Sequence, residues 1–276
     1  MDKFGKEYLD LLKWTLTDFH RADQAEYKPI YRNSGTFREG LLLKLDSFLN
    51  KRGFSLCRKV VSDKDSRLNG LDWPAYAETM IDLKRLNNIE ECLIDINLNN
   101  IEGDLIETGV WRGGSTIFMR AVLKVLGDTN RTVWVADSFE GLPKPDAEKY
   151  PEDQGDSHFE KTELSISLKQ VKKNFEKYGL LDDQVKFLKG WFKDTLPTAP
   201  IAKLSLLRLD GDMYQSTMEG LVSLYPRVSK GGYIIVDDWA AVEGCRKAVE
   251  DYRKLNGISD EILPIDRSAV YWKKGS

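Results

Sequence analysis

From residue 104 onward the chain alternates short apolar runs with amphipathic stretches, and no other feature restricts its fold as tightly. Such alternation is the trace of βαβ units, which lay parallel strands side by side and cover both faces of the sheet with helices. The apolar runs fall at 104–107, 132–136, 185–188, 204–209 and 233–236, with two more near 261–265 and 270–272. They predict an α/β fold with a Rossmann-like, seven-stranded, mostly parallel sheet. Two intervening stripes have helical spacing: Leu168, Val171, Phe175 and Tyr178, ending at Gly179, and Val242, Cys245, Val249 and Tyr252. Ahead of the series, Leu9, Leu11, Leu12, Trp14 and Leu16 lie near helical spacing between 8 and about 25, and 41–49 repeats that pattern after a polar turn. The first quarter is therefore expected to be mostly helical, an N-terminal helical cap over 1–76 ahead of a larger unit over 77–276.

Length and composition narrow the function. At 276 residues the chain can hold one large domain and a cap without disulfides or zinc. With 41% apolar residues, 31% charged residues and a net charge of -3, it has no electrostatic bias toward nucleic acid or membrane, which leaves a small molecule as the expected partner. The three cysteines, Cys57, Cys92 and Cys245, are widely separated and form no CxxC pair, as in a reducing compartment. The start MDKFGKEYLDLLKW scatters charges and lacks an apolar signal core, and no later run approaches membrane-spanning length, so the expected location is cytoplasmic. One polar segment, 142–161, holds three prolines and no periodicity. Its length inside a compact domain predicts a mobile active-site lid.

The segment Asp104-Leu-Ile-Glu-Thr-Gly-Val-Trp-Arg-Gly-Gly-Ser115 passes from a buried strand through glycines into a helix. Glycine permits positive φ and close backbone approach, and the following helix N-terminus offers unpaired N–H groups to a polar ligand. GVWRGG is not GxGxxG, so a cofactor without a pyrophosphate is expected. Glu107, Thr108, Gly109, Gly113 and Ser115 are the candidate contacts here, with Glu107 set to accept from the ammonium of a methionine moiety; the glycines would equally serve a plain tight turn. One unit later, Asp137, followed by Ser138, ends the second strand, where an acidic residue holds ribose hydroxyls in such folds. Trp191, after the third strand, is placed to lie against adenine, although an indole there also suits core packing.

LLRLDGDMY and IIVDDW put Asp210, Asp212, Asp237 and Asp238 just past the fourth and fifth strands. Four carboxylates converging at one sheet edge repel one another unless a cation or shared protons offset the charge. With only His20 and His158 in the chain, a hard ion such as magnesium, calcium or manganese is expected rather than zinc. Such an ion would act as a Lewis acid on a hydroxyl while the remaining carboxylate collects the proton. Asp in turns and helix caps is the competing explanation.

The blocks GLDWPAYAETMIDLKRLNNIEECL, GDLIETGVWRGGSTIFMRAVL, VADSFEGLP, NFEKYGLLDDQVKFLKGWFKDTLPTAP, LRLDGDMYQSTMEGLVSLYPRVSKGGYIIVDDW and CRKAVEDYR span most of residues 70–253. In them the chain resembles the macrocin O-methyltransferase family, whose members methylate sugar hydroxyls on macrolide and aminocoumarin antibiotics. The resemblance implies a class I methyltransferase fold over 77–276, S-adenosylmethionine as methyl donor, and magnesium. It implies Asp210, Asp237 and Asp238 as metal ligands, Asp212 as general base, a cap that helps cover a glycoside acceptor, and self-association into at least a dimer. Trp239 stands where a tyrosine is expected and Arg267 where a tryptophan is usual, and residues 1–69 match only loosely. These departures bear on the acceptor. The expected function is metal-assisted O-methyl transfer to a sugar hydroxyl of a glycosylated natural product. A phenol or catechol acceptor, or a non-catalytic nucleotide-binding module, are the alternatives.

Overall fold

A computed structural model describes residues 1–30, 37–61, 63–72 and 74–275. Trp73 and much of the polar turn before residue 41 lie outside the described residues. The first part comprises α1 (Lys3–Leu16), β1 (Ala25–Pro29), α2 (Phe37–Asn50), β2 (Cys57–Val61), α3 (Lys64–Leu68) and α4 (Leu83–Leu98). The alternating series follows as β3 (Asp104–Thr108), α5 (Gly114–Leu126), β4 (Val133–Asp137), α6 (Leu168–Lys177), β5 (Val185–Lys189), α7 (Phe192–Thr195), β6 (Leu204–Leu209), α8 (Tyr214–Leu224), β7 (Val228–Val236), α9 (Glu243–Leu255), β8 (Leu263–Pro264) and β9 (Val270–Lys273).

The seven-stranded sheet has the order β5-β4-β3-β6-β7-β9-β8, with β9 antiparallel to both of its neighbours and the remaining pairs parallel. This is the Rossmann-like, seven-stranded, mostly parallel α/β sheet that the alternating runs predict. Its strands read as near-continuous apolar runs because both faces are covered, and every residue of β6 is buried. One apolar layer packs Phe118 of α5, Phe175 of α6 and Leu93 of α4 on one face; the other packs Leu221 of α8, Val249 of α9 and the fully buried Trp272. The strand order reverses between β3 and β6, and in such open sheets the crevice beyond the carboxyl ends at that point receives the ligand.

Two features depart from the sequence reading. The first quarter is not wholly helical: β1 and β2 form an antiparallel ribbon, Ala25 opposite Val61 through Pro29 opposite Cys57. No alternation of apolar and polar residues announces it: among the described residues the side chain buried in β1 is the charged Glu26, and β2 is exposed or half-exposed throughout. Buried Arg67 anchors this region through Glu26 (2.6 Å), Asp72 (2.7 Å) and the Thr17 carbonyl (2.9 Å). Secondly, Leu9, Leu12 and Leu16 of α1 belong to the same apolar layer as α4 and α5, so this helix is built into the main core. No helix among the described residues is long and apolar enough to cross a membrane.

Candidate active site

β3 enters the glycine-rich turn with Gly109 at φ +85 and leaves it through Gly113, the N-terminal cap of α5, at φ +87. A Cβ on Gly109 would lie 1.7 Å from the Asp210 carbonyl oxygen, so the two loops after β3 and β6 touch backbone to backbone. That contact brings the glycine turn against the first of the carboxylates. Beside it opens a cavity of about 250 Å³.

Gly109, Asp137, Ser138, Trp191, Asp210 and Asp212 all contribute to its wall. Asp137 accepts from the backbone N–H of Val110 (2.8 Å) and of Phe139 (2.6 Å), which fixes its carboxylate at the mouth of β4. Burial raises its pKa, opposed by those N–H donors. Ser138 Oγ also lies 3.4 Å from Oδ1, so Oδ2, which accepts from Val110, is the more open of the two oxygens. Six other candidates stand back from the cavity wall, Asp237 and Asp238 behind Asp210 and four more around the glycine turn. Glu107 is fully buried and engages Arg208 and Ser115 Oγ; Thr108 packs beside the Arg208 carbonyl; Ser115 serves Glu107; Gly113 shapes the helix start. Glu107 therefore meets a guanidinium where the sequence reading gave it a ligand ammonium.

Asp210, Asp237 and Asp238 converge, each offering an oxygen within 4.8 Å of the others. Parallel pairing of β6 with β7, Leu209 opposite Val236, produces this convergence. Asp212 adopts φ +57, and its backbone N–H donates to Asp238 Oδ2 (3.2 Å). The sequence reading left out the charges that hold this group. Arg208, 0% exposed, donates through Nη1 to Asp210 Oδ2 (2.6 Å) and also engages Glu107 and Asp237. Arg85 engages the other oxygen of Asp237 and donates through Nε to Asp266 Oδ2 (2.7 Å). A lone arginine inside the apolar run LSLLRL was the available signal for the first; nothing local pointed to Arg85.

Burial and the neighbouring Asp237 push the Asp210 carboxyl up to about 8, against the pull of Arg208. Burial, then Asp212, Asp210 and Asp237, raise Asp238 far above the ordinary carboxylate range. Asp212 is raised by burial, opposed by His158. An unfolded aspartate titrates near about 3.9, so folding binds this proton more tightly. The Asp210 contribution to stability is complete below the unfolded value and lost as pH rises toward the folded one. In chelator, loss of the Asp210 contribution is expected to lower the thermal midpoint progressively between about pH 4 and 8, and Asp210→Asn to flatten that fall, as differential scanning fluorimetry would register.

The polar segment 142–161 is not featureless. It carries single 3-10 turns at Pro151–Asp153 and His158–Glu160. Buried Asp153 accepts from the N–H groups of Tyr214 (2.7 Å) and Gln215 (2.9 Å), capping α8 directly after the Asp210–Asp212 loop. His158 Nδ1 pairs with Asp156 (2.8 Å). Leu142, Lys144 and Asp146 of the same segment, and Trp111 and Met80 opposite, complete much of the cavity wall. Trp111 is held at φ +47 with its indole N–H donating to the Glu163 carbonyl (2.9 Å).

A family model for macrocin-O-methyltransferase (TylF) matches residues 5–274. The chain is 55% identical over 212 residues to 8-demethyl-8-(2,3-dimethoxy-alpha-L-rhamnosyl)-tetracenomycin-C 4'-O-methyltransferase of Streptomyces olivaceus, covering 76% of this chain and 81% of that one. It is 44% identical over 272 residues to mycinamicin III 3''-O-methyltransferase of Micromonospora griseorubida, covering 98% and 96%. Among solved structures, the O-methyltransferase NovP superposes with a TM-score of 0.84 at 43% identity, covering 99% of this chain and 100% of that one.

Proposed function

We propose, from the premise that the chain belongs to the macrocin O-methyltransferase family, that it transfers a methyl group from S-adenosylmethionine to a sugar hydroxyl of a glycosylated natural product, assisted by a divalent metal ion. One observation carries this reading: a single cavity wall runs from Asp137 and Trp191 to Asp210 and Asp212. A nucleoside and an acidic cluster then share one chamber. The relatives named above act, by their names, on a rhamnosyl tetracenomycin and on mycinamicin III, which supports a glycoside acceptor.

Gly109, Asp137, Ser138 and Trp191 would hold the donor, with Asp137 accepting from the ribose hydroxyls and Trp191 against adenine. Gly109 is bare because the Asp210 carbonyl fills the place of a Cβ, which packs the donor-facing turn directly against the carboxylate loop. When bound, S-adenosylmethionine supplies an electrophilic methyl carbon on a sulfonium. Asp210, Asp237 and Asp238 would hold the metal; three carboxylates within 4.8 Å of one another make an all-oxygen donor set that suits a hard cation such as magnesium. Such an ion supplies Lewis acidity toward the acceptor oxygen. Asp212, beside the ligands but outside their group, takes the hydroxyl proton. The segment 142–161, pinned by Asp153, serves as the lid that excludes water and orients the acceptor.

Glycosylated and catecholic acceptors, assayed side by side with and without chelator, test the reading. Methylation of a glycoside that stops on chelation is expected. Asp210→Asn abolishes both activity and magnesium binding measured by calorimetry, whereas Asp212→Asn retains binding and loses about 10²–10⁴ in kcat. An active, chelator-insensitive Asp210→Asn protein overturns the metal role, and preference for a catechol overturns the acceptor class.

Self-association accompanies this reading. Phe4, Leu11 and Trp14 on α1 and Leu41, Leu45 and Phe48 on α2 are exposed, more apolar surface than two solvent-facing helices ordinarily leave. Sedimentation at micromolar concentration is expected to give at least a dimer; a monomer contradicts it.

A further inference from the structure

We propose that Arg85 and Arg208 are positioning residues of the carboxylate site, fixing the spacing of Asp210 and Asp237 before a divalent ion arrives. The inference rests on the metal reading above. Between them the two guanidinium groups take one oxygen of Asp210 and both oxygens of Asp237. A carboxylate oxygen has two lone pairs, so one remains on each oxygen for a cation. Each guanidinium gives one N–H to each carboxylate it meets, Arg208 bridging Asp210 and Asp237 and Arg85 bridging Asp237 and Asp266, so its rigid plane sets the spacing of its partners and with it the side left open to a cation.

Both arginines are themselves held. Arg208 lies on β6 with Glu107 as a third partner, locked in turn by Ser115. Arg85 stands at the start of α4, where its backbone N–H donates to the capping carboxylate of Asp82 (2.9 Å), and its Nε is tied to Asp266 (2.7 Å) before β9. The metal candidates are thus braced from three separate elements. A purely structural account is weak for Arg208, since packed apolar residues in place of a buried ion pair are often neutral or stabilising. The donors of both residues instead converge on the side chains that would bind the ion. Outer partners of metal ligands typically contribute about 10–100-fold to metal affinity.

Two explanations predict opposite signs. If the arginines only neutralise charge, removing one concentrates negative charge and tightens cation binding; if they position the carboxylates, removing the fork weakens it. Calorimetric titration of magnesium and manganese into the full-length protein and into Arg85→Lys, Arg85→Gln and Arg208→Lys separates them, with circular dichroism confirming the fold of each. We expect both Arg85 variants and Arg208→Lys to bind about 10–100-fold more weakly, lysine failing because it keeps the charge and loses the fork. Unchanged or tighter binding in the Arg85 variants overturns the inference. Arg85 decides the matter should Arg208→Lys unfold, because its side chain is 12% exposed and its loss is better tolerated. If the unaltered protein methylates its acceptor yet binds neither ion, the metal reading falls and takes this inference with it.

Discussion

Replacing Arg208 with methionine is expected to lower the stability of the protein by about 3–5 kcal/mol, the usual consequence of removing one partner from a buried ion pair. The side chain is 0% exposed and faces Glu107, Asp210 and Asp237. Burial alone opposes its charge, and the three carboxylates more than restore it, so Arg208 stays protonated under all ordinary conditions. Without it, Glu107 keeps only Ser115 as a partner while buried on every side, and its Oε2 already lacks one. Asp237 suffers less, because Arg85 remains. Thermal denaturation should show a fall on the order of 10 °C. Adding Glu107→Leu to Arg208→Met removes the stranded charge together with its missing partner, and part of the loss should return; a double variant less stable than the single one contradicts this account.

Gly109→Ala is expected to abolish methyl transfer and to cost about 2–5 kcal/mol, combining a left-handed backbone with an overpacked contact. The added methyl would sit 1.7 Å from the Asp210 carbonyl oxygen, and that neighbour is backbone rather than a flexible side-chain end. Relief requires the loops after β3 and β6 to separate. Asp210 would move with its loop, and a displacement of about 1 Å in a reacting site removes about 10²-fold in rate. Gly127 provides the control. It closes α5 at φ +70 with open space around its Cβ position, so Gly127→Ala incurs only the left-handed penalty of about 1 kcal/mol and leaves the site intact. Comparable kcat in the two variants would mean that the loop contact has no part in shaping the cavity.

Much of the architecture was legible in the residues. Six of the sheet's seven strands begin and end within two residues of their apolar runs, and β7 differs mainly in starting earlier, at Val228, with a register shift against β6. The stripes ending at Gly179 and Tyr252 are α6 and α9. The ribbon of β1 and β2 was not legible, because β2 has no buried residue and the described residue that β1 turns inward, Glu26, is charged and answers Arg67, so no apolar period marks the strands. The composition of 142–161 predicts no regular structure, whereas Asp153 fastens the segment to α8; a capping carboxylate 61 residues from the N–H it meets leaves no local trace.

The carboxylate cluster divides most clearly between the two levels. Sequence alone placed Asp210, Asp212, Asp237 and Asp238 at the ends of two strands, because strand period and turn chemistry are local properties written in neighbouring residues. It also implied that, if they converge, a cation or shared protons must offset their charge. Only the tertiary structure decided that two arginines supply part of that offset from within the chain. Arg208 meets Glu107 across 101 residues and Asp237 across 29, and Arg85 meets Asp237 across 152. Pairings over such separations are fixed by sheet order and by which helix covers which face, and neither is encoded in the spacing of the residues that pair.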